Sequence, residues 1–333
     1  MSIGDYAIIG DCHSAALVSR QGSIDWLCWP RFDSPSLFGA LLDPRAGHWR
    51  IAPAGDFRAR RRYVGDSNVL ETQFETAGGS LRLTDLMPVA SDDDKRRLLL
   101  ADHEVLRVVT CDQGEVAIDF DLCARPDYGR GKPRVTRSDR LGLRIALDPG
   151  LLSLRSELPL EPDPDDPGRV RGRARLRAGE TLAFSLIFED EWPAILPPLG
   201  AWSRACVDRT VAWWSSWVGR MRYRGPYRDA VARSALALRL LLYAPSGAFV
   251  AAPTTSLPER LGGPLNWDYR FCWLRDASLT IRALFGLGFP EEGEAFLGWL
   301  LHTTRLTRPR LRVLYDVFGR VPPRERTLDH LAG

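Results

Sequence analysis

AWSRACVDRTVAWWSSWVGRM, residues 201–221, is where the hydrophobic period of this chain changes. Trp202, Val207, Val211, Trp214 and Val218 recur at close to helical spacing, so the stretch predicts an amphipathic helix. Ahead of it, Pro193, Pro197 and Pro198 close a long region that reads as β structure. Behind it the apolar patterns are helical. The stretch therefore predicts a linking helix between an N-terminal β region and a C-terminal α region.

The β reading rests on short apolar runs bounded by turn residues. Residues 7–10, 16–19 and 24–29 are such runs, with Gly22, Ser23 and Pro30 as punctuation. Others follow at residues 68–74, 81–86, 104–109, 116–120, 141–146 and 181–188. Many short strands with regular turn signals predict an antiparallel β-sandwich. Arg171, Arg173, Arg175 and Arg177 alternate with small or apolar residues, which puts all four on one solvated strand face. Asp163, Asp165 and Asp166 lie just before them and offset that charge. Neither this run nor the arginine-rich residues 58–62 is read as a nucleic-acid interface.

After Pro226 a helix is expected with Val231, Ala235, Leu238 and Leu242 on one face and Gly247 beyond its end. Another spans about residues 277–285, stopped by Gly286 and Gly288. Pro290 opens a further one, with Glu291 and Glu292 at its positive end. The expected organisation is a β-sandwich domain over residues 1–192, a linker with a helix over 193–225, and the start of an α-helical domain over 226–333.

Composition excludes several classes. The 45 basic and 42 acidic residues leave a net charge of +3, too balanced to call for a polyanionic partner. The N-terminus has neither a basic segment nor an uninterrupted apolar run, and no stretch reaches the length of a membrane span, so a cytoplasmic protein is expected. The six cysteines are scattered without C-x-x-C spacing and read as reduced, buried thiols. The five histidines are dispersed and no nucleotide fingerprint or nucleophile elbow occurs. Neither a metal nor a cofactor is expected.

The densest chemistry lies in residues 251–276, AAPTTSLPERLGGPLNWDYRFCWLRD. It places Glu259, Asn266, Trp267, Asp268, Tyr269, Trp273, Arg275 and Asp276 on a loop between two helices. Such a loop suits a small polar ligand. Arg275 and Asp276 offer hydrogen bonds to neighbouring hydroxyls, and Trp273 offers an apolar ring face. A structural reading stands beside this one: Asp276 as the N-cap of the next helix, Arg275 paired with Asp268, and the aromatics as core.

Two segments resemble bacterial glycoside hydrolase family 15 proteins, which include glucoamylases and trehalases. One is the opening, residues 3–11, 22–26 and 33–38. The other runs from Ala252 to Glu259 and on through Asn266-Trp267-Asp268-Tyr269-Arg270 and Trp273-Leu274-Arg275-Asp276-Ala277. The resemblance implies an N-terminal β-sandwich joined to an (α/α)6 toroid, of which this chain would hold only the first helices. It implies inverting hydrolysis of an α-glucosidic bond, in trehalose or short α-gluco-oligosaccharides. Arg275 and Asp276 match the pair that grips the non-reducing glucose, with Trp273 close by. Trp267 and Asp268 belong to the same motif, and Tyr315 is a further sugar contact by the same resemblance.

The resemblance also implies a general acid in a Trp-Glu segment and a general base further on. No Trp-Glu pair occurs, and Glu191-Trp192 has the reverse order. Acid and base are therefore expected beyond Gly333, and the 333-residue chain is expected to be catalytically silent. A partial toroid would expose Leu238, Leu242, Leu284 and Phe285, which leaves room for a homo-oligomer or a complementing chain. A non-catalytic carbohydrate- or partner-binding module is the alternative.

Overall fold

The computed structural model describes residues 3–190, 195–256, 259, 260 and 263–332, with Arg140 and Leu306 described by backbone alone. Glu191, Trp192 and Pro193 of the expected domain junction, and Leu257 and Pro258 of the site loop, lie outside the described residues.

The chain begins with β1 (Tyr6–Gly10), β2 (Ala15–Ser19), β3 (Ser23–Cys28), β4 (Ser36–Phe38) and β5 (His48–Pro53). Next come β6 (Arg58–Tyr63), β7 (Leu70–Thr76), β8 (Gly79–Leu86) and the long β9 (Glu104–Cys123). The β region ends with β10 (Arg134–Ser138), β11 (Gly142–Ala146), β12 (Leu151–Ser156), β13 (Glu161–Pro162), β14 (Arg169–Arg177) and β15 (Thr181–Glu189). These 15 strands form one antiparallel sheet.

Strand β9 organises the sheet because its two halves serve different layers. Its first half lies between β8 and β15, and its second half between β5 and β14. The layers change over at Gly114, where φ is +71° and the opposed Gly78 and Gly79 leave no room for a Cβ. Inward residues of both layers meet in a single core: Phe120 of β9 stacks on Phe184 of β15 with ring centroids 5.2 Å apart.

The outer face follows the alternation read from the sequence. Arg171, Arg173, Arg175 and Arg177 point outward, while Val170 and Leu176 are buried. Arg171 pairs with Asp163, Arg173 with Asp119, and Arg175 and Arg177 with Glu115. Exposed pairs of this kind contribute little stability, so they keep the face soluble more than they hold it together.

A buried ion pair ties the two layers. Arg107 of β9 and Asp85 of β8 both have fully buried side chains, with Arg107 Nε 2.8 Å from Asp85 Oδ1. Arg107 also donates to the carbonyls of Trp49 and Gly22 in the opposite layer and lies over the Trp49 ring. Every group around the charge is therefore an acceptor or a π face, as burial of a guanidinium requires.

Five helices complete the described fold: α1 (Asp92–Arg97), α2 (Ala201–Gly219), α3 (Arg228–Leu240), α4 (Leu274–Leu287) and α5 (Pro290–Thr307). The short α1 is not anticipated from the sequence, although Ser91 and Asp94 form a capping box that marks its start. Helix α2 lies on the outer face of the sheet, where Cys206 joins Val69, Leu86, Leu106, Val108 and Ala183. Its far end joins a second core with α3, α4 and α5, to which Cys12, Ala15 and Phe32 of the β region also belong.

Two expectations need correction. Leu242 is not helical: α3 ends at Leu240, and β16 (Leu242–Tyr243) pairs with β17 (Ala248–Phe249). The chain reverses there to bury Phe249, and Gly247 serves that hairpin instead of closing a helix. Of the four apolar residues expected on an exposed helix face, only Phe285 is, at 50%. Leu242 and Leu284 are buried and Leu238 is half-buried, whereas Leu279, Leu297 and Leu301 are exposed.

Replacing one partner of the interlayer pair leaves a buried charge uncompensated. Asp85→Ala should lower unfolding stability by about 3–5 kcal/mol in urea titrations. A loss below about 1 kcal/mol would show that the pair does not join the layers.

Candidate functional site

Residues 251–256 run back against residues 267–271. The N–H groups of Ala251, Ala252 and Ser256 donate to the carbonyls of Phe271, Tyr269 and Trp267, and Tyr269 N–H returns a bond to Thr254. Thr255 and Asp268 form an antiparallel bridge within this ladder. The second arm continues into β18 (Cys272–Trp273), which pairs with β19 (Leu314–Tyr315) and leads directly into α4.

Trp267, Tyr269 and Trp273 gather at this corner. Trp273 lies edge-to-face with Trp267 at 6.2 Å and with Tyr269 at 5.9 Å. Trp267 is 39% exposed, and its indole N–H donates to Glu259 Oε1 at 3.1 Å. Trp273 donates to the Asp268 carbonyl at 2.8 Å, which fixes the ring between the other two.

Arg275 and Asp276 sit in the first turn of α4. The N-cap is Trp273, not Asp276, because Trp273 is the last residue with extended backbone. Asp276 is nevertheless well placed as an acidic side chain in the first turn. Arg275 does not pair with Asp268; its Nη2 lies 3.2 Å from Asp276 Oδ2, and its side chain is 70% exposed. That contact is an ion pair without hydrogen-bond geometry, since Asp276 Oδ2 has no hydrogen-bond partner among the described residues. The exposed Arg275 guanidinium thus keeps capacity for a ligand's hydroxyls, whereas the unpartnered Asp276 Oδ2 is buried.

Asp268 instead belongs to Arg270. Its Oδ1 accepts from Arg270 Nε at 2.9 Å and its Oδ2 from Arg270 Nη2 at 2.6 Å. Arg270 is buried and also donates to the Ser34 carbonyl at 2.8 Å, to Tyr128 Oη at 2.8 Å and to Cys28 Sγ at 3.3 Å. Burial opposes its charge, but Cys28, Asp268 and Tyr128 outweigh this and hold its pKa well above the ordinary value. Trp26 of β3 adds a second clasp, its indole N–H donating to the Pro253 carbonyl at 2.7 Å. Arg270 and Trp26 both lie in the segments that resemble the family, without a role assigned to either, and Tyr128 lies outside them; nothing local marks these three as partners.

Tyr315 is fully buried in β19. Its hydroxyl lies 3.0 Å from Thr307 Oγ1 and accepts from Arg312 N–H at 2.9 Å, while its ring packs edge-on against Trp299. Tyr315, expected by resemblance as a further sugar contact, is thus packed in the core in this arrangement. Among the described residues no cluster of His, Cys, Asp and Glu could hold a metal ion.

The geometry can be set beside known proteins. Residues 225–333, which include the whole Arg270–Asp276 segment, match the model of glycosyl hydrolases family 15. This part of the chain belongs to that family. Residues 1–157 match the trehalase-like N-terminal domain. A trehalase of Mycolicibacterium smegmatis is 34% identical over 99% of this chain and 52% of its own length. One of Thermoplasma volcanium is 33% identical over 98% of this chain and 51% of its own. Trehalase 1 of Sulfolobus acidocaldarius is 34% identical over 98% and 53%. The chain thus spans about half the length of the curated relatives it matches. Among solved structures, a putative kojibiose phosphorylase from human microbiome aligns at a TM-score of 0.39 and 10% identity, over 75% of this chain and 40% of that one.

The two Arg-Asp pairs of the family 15 segment should respond differently to substitution. Asp268→Ala strands the buried Arg270 and should cost roughly 2–4 kcal/mol of stability. Asp276→Ala removes a first-turn carboxylate and should cost about 1 kcal/mol or less. Thermal unfolding of both variants checks the contrast, and equal losses would contradict it.

Proposed function

We propose that this chain is the sugar-gripping part of a glycoside hydrolase acting on trehalose or a short α-gluco-oligosaccharide. The observation that carries the reading is the similarity to trehalases along 98–99% of the chain. The site chemistry agrees with it. Arg275 and Asp276 would hydrogen-bond neighbouring hydroxyls of one glucose, with Trp267 and Trp273 against its ring face.

Hydrolysis with inversion needs two carboxyl groups about 6.5–9.5 Å apart, one to protonate the leaving oxygen and one to activate water. The loop's described carboxylates are otherwise engaged: Glu259 with Trp267, Asp268 with Arg270, and Asp276 with Arg275. We assign none of them to proton transfer. The family resemblance puts acid and base in the half of the relatives' length that this chain does not span. In the same reading, residues 1–192 form a sandwich domain, 193–225 a linker, and α3, α4 and α5 the first helices of an (α/α)6 toroid.

Exposed Leu279, Phe285, Leu297 and Leu301 on α4 and α5 favour a second element of the proposal. A toroid helix, a second copy or a complementing chain would cover this face. Light scattering of the purified chain at increasing concentration should then show self-association that Leu297→Glu with Leu301→Glu reduces.

Glucose release from trehalose, maltose and isomaltose tests the main reading alongside equilibrium binding. The 333-residue chain should bind trehalose without releasing glucose. Arg275→Ala should weaken binding by about 10–100-fold, the effect of losing hydrogen bonds to a charged group. Glucose release by the wild-type chain would instead require the acid and base to be found among the carboxylates present here.

A further inference from the structure

The sugar-gripping corner has its own backbone ladder, and Arg270 ties that ladder to the β region. A guanidinium has five N–H donors, and Arg270 uses all of them. Asp268 takes two, and the Ser34 carbonyl, Cys28 Sγ and Tyr128 Oη take one each. Three of the five acceptors therefore come from residues far earlier in the chain. From Arg270 the network continues outward, since Asp268 is locked at both oxygens and its carbonyl receives the Trp273 indole N–H. Tyr128 thus reaches Trp273, the residue just ahead of Leu274 and Arg275, in three hydrogen-bonded links.

Tyr128 is built for this contact. Asp127 and Tyr128 both have positive φ, at 52° and 56°, a conformation costing about 1–2 kcal/mol for a residue with a side chain. The phenol meets Arg270, whose guanidinium also lies over the Tyr128 and Trp26 rings at 5.4 and 5.9 Å. Burial pushes the Tyr128 hydroxyl above its usual pKa, so it stays neutral and can accept from the cation. The Tyr128 carbonyl meets His330 Nε2 at 2.8 Å, so the same loop also docks the C-terminal segment.

We propose that Arg270 is a positioning residue for the sugar-gripping face and that Tyr128 of the β region sets it, so that the trehalase-like N-terminal region is part of the binding machinery. The inference rests on residues 267–276 being that face. It assigns the β region a task at the sugar site through one side chain's hydrogen bonds, separate from its bulk packing against the helices.

The test uses the 333-residue chain with 5-fluorotryptophan at its 11 tryptophans, followed by 19F NMR and by trehalose titration. Trp273→Phe and Trp49→Phe assign the two resonances of interest, Trp49 lying fully buried between the β layers as a control. Tyr128→Phe removes one hydroxyl and keeps the ring. It should displace or broaden the Trp273 resonance, leave Trp49 unmoved, and weaken trehalose binding by about 3–10-fold, part of the value of a hydrogen bond to a charge. Arg270→Lys, which keeps the charge but loses the planar fork, should do more on both readouts.

An unmoved Trp273 resonance in Tyr128→Phe overturns the inference, as does equal movement of Trp49, which would mean general loosening. Affinity lost in Arg275→Ala but untouched in Tyr128→Phe overturns the positioning role and leaves the sugar-gripping reading intact. Affinity untouched in Arg275→Ala, with the Trp273 resonance still displaced by Tyr128→Phe, overturns that reading and supports the coupling alone.

Discussion

Burying a guanidinium sets a demanding condition: five donors in one plane must each find an acceptor, or the charge cannot leave water. Arg270 meets it at the junction of the β region and the site loop, with acceptors supplied from both sides. The two sides can satisfy it only in one relative placement. Arg107 faces a similar condition between the two β layers, where Asp85 accepts two hydrogen bonds and the Trp49 and Gly22 carbonyls one each. Apolar packing in the shared cores provides most of the driving force. The two arginines decide which of many packings is allowed.

The same residue pair has opposite uses a few positions apart. Arg270 is buried and held by Asp268 through two hydrogen bonds, so the pair holds the loop. Arg275 is exposed in an incomplete pair, so its hydrogen-bonding capacity remains available, while the unpartnered Oδ2 of Asp276 is buried. Burial separates the roles: the Arg270 side chain is 6% exposed and the Arg275 side chain 70%. A desolvated pair with matched geometry is costly to break, while an exposed one is only weakly held and can exchange partners with a ligand. Rigid support beneath and adaptable groups above is the arrangement that precise binding of a small polar molecule calls for.

Much of the β architecture was legible because its signal is local. Alternation along residues 171–177 correctly puts four arginines outside, and the helical period of residues 201–221 corresponds to α2. Errors came where a local pattern continued past a reversal of the chain. Leu242 fits the period of α3 but turns into a hairpin, because Phe249 must return to the core. Burial of the Tyr315 ring likewise follows from the pairing of β18 with β19, which its neighbours in the sequence do not reveal.

The sequence by itself determined the order of β and α regions, the solvated arginine face, and the segment from Trp267 to Asp276 as a dense run of aromatic and charged residues. Each depends on neighbours in the chain or on a contiguous motif. Only the tertiary structure decided which cation of that segment is buried and which is exposed. Tyr128 and Arg270 are 142 positions apart, and no period or spacing links them. Their pairing arises from how the β region packs on the loop, because a buried charge takes whichever acceptors the fold brings within reach.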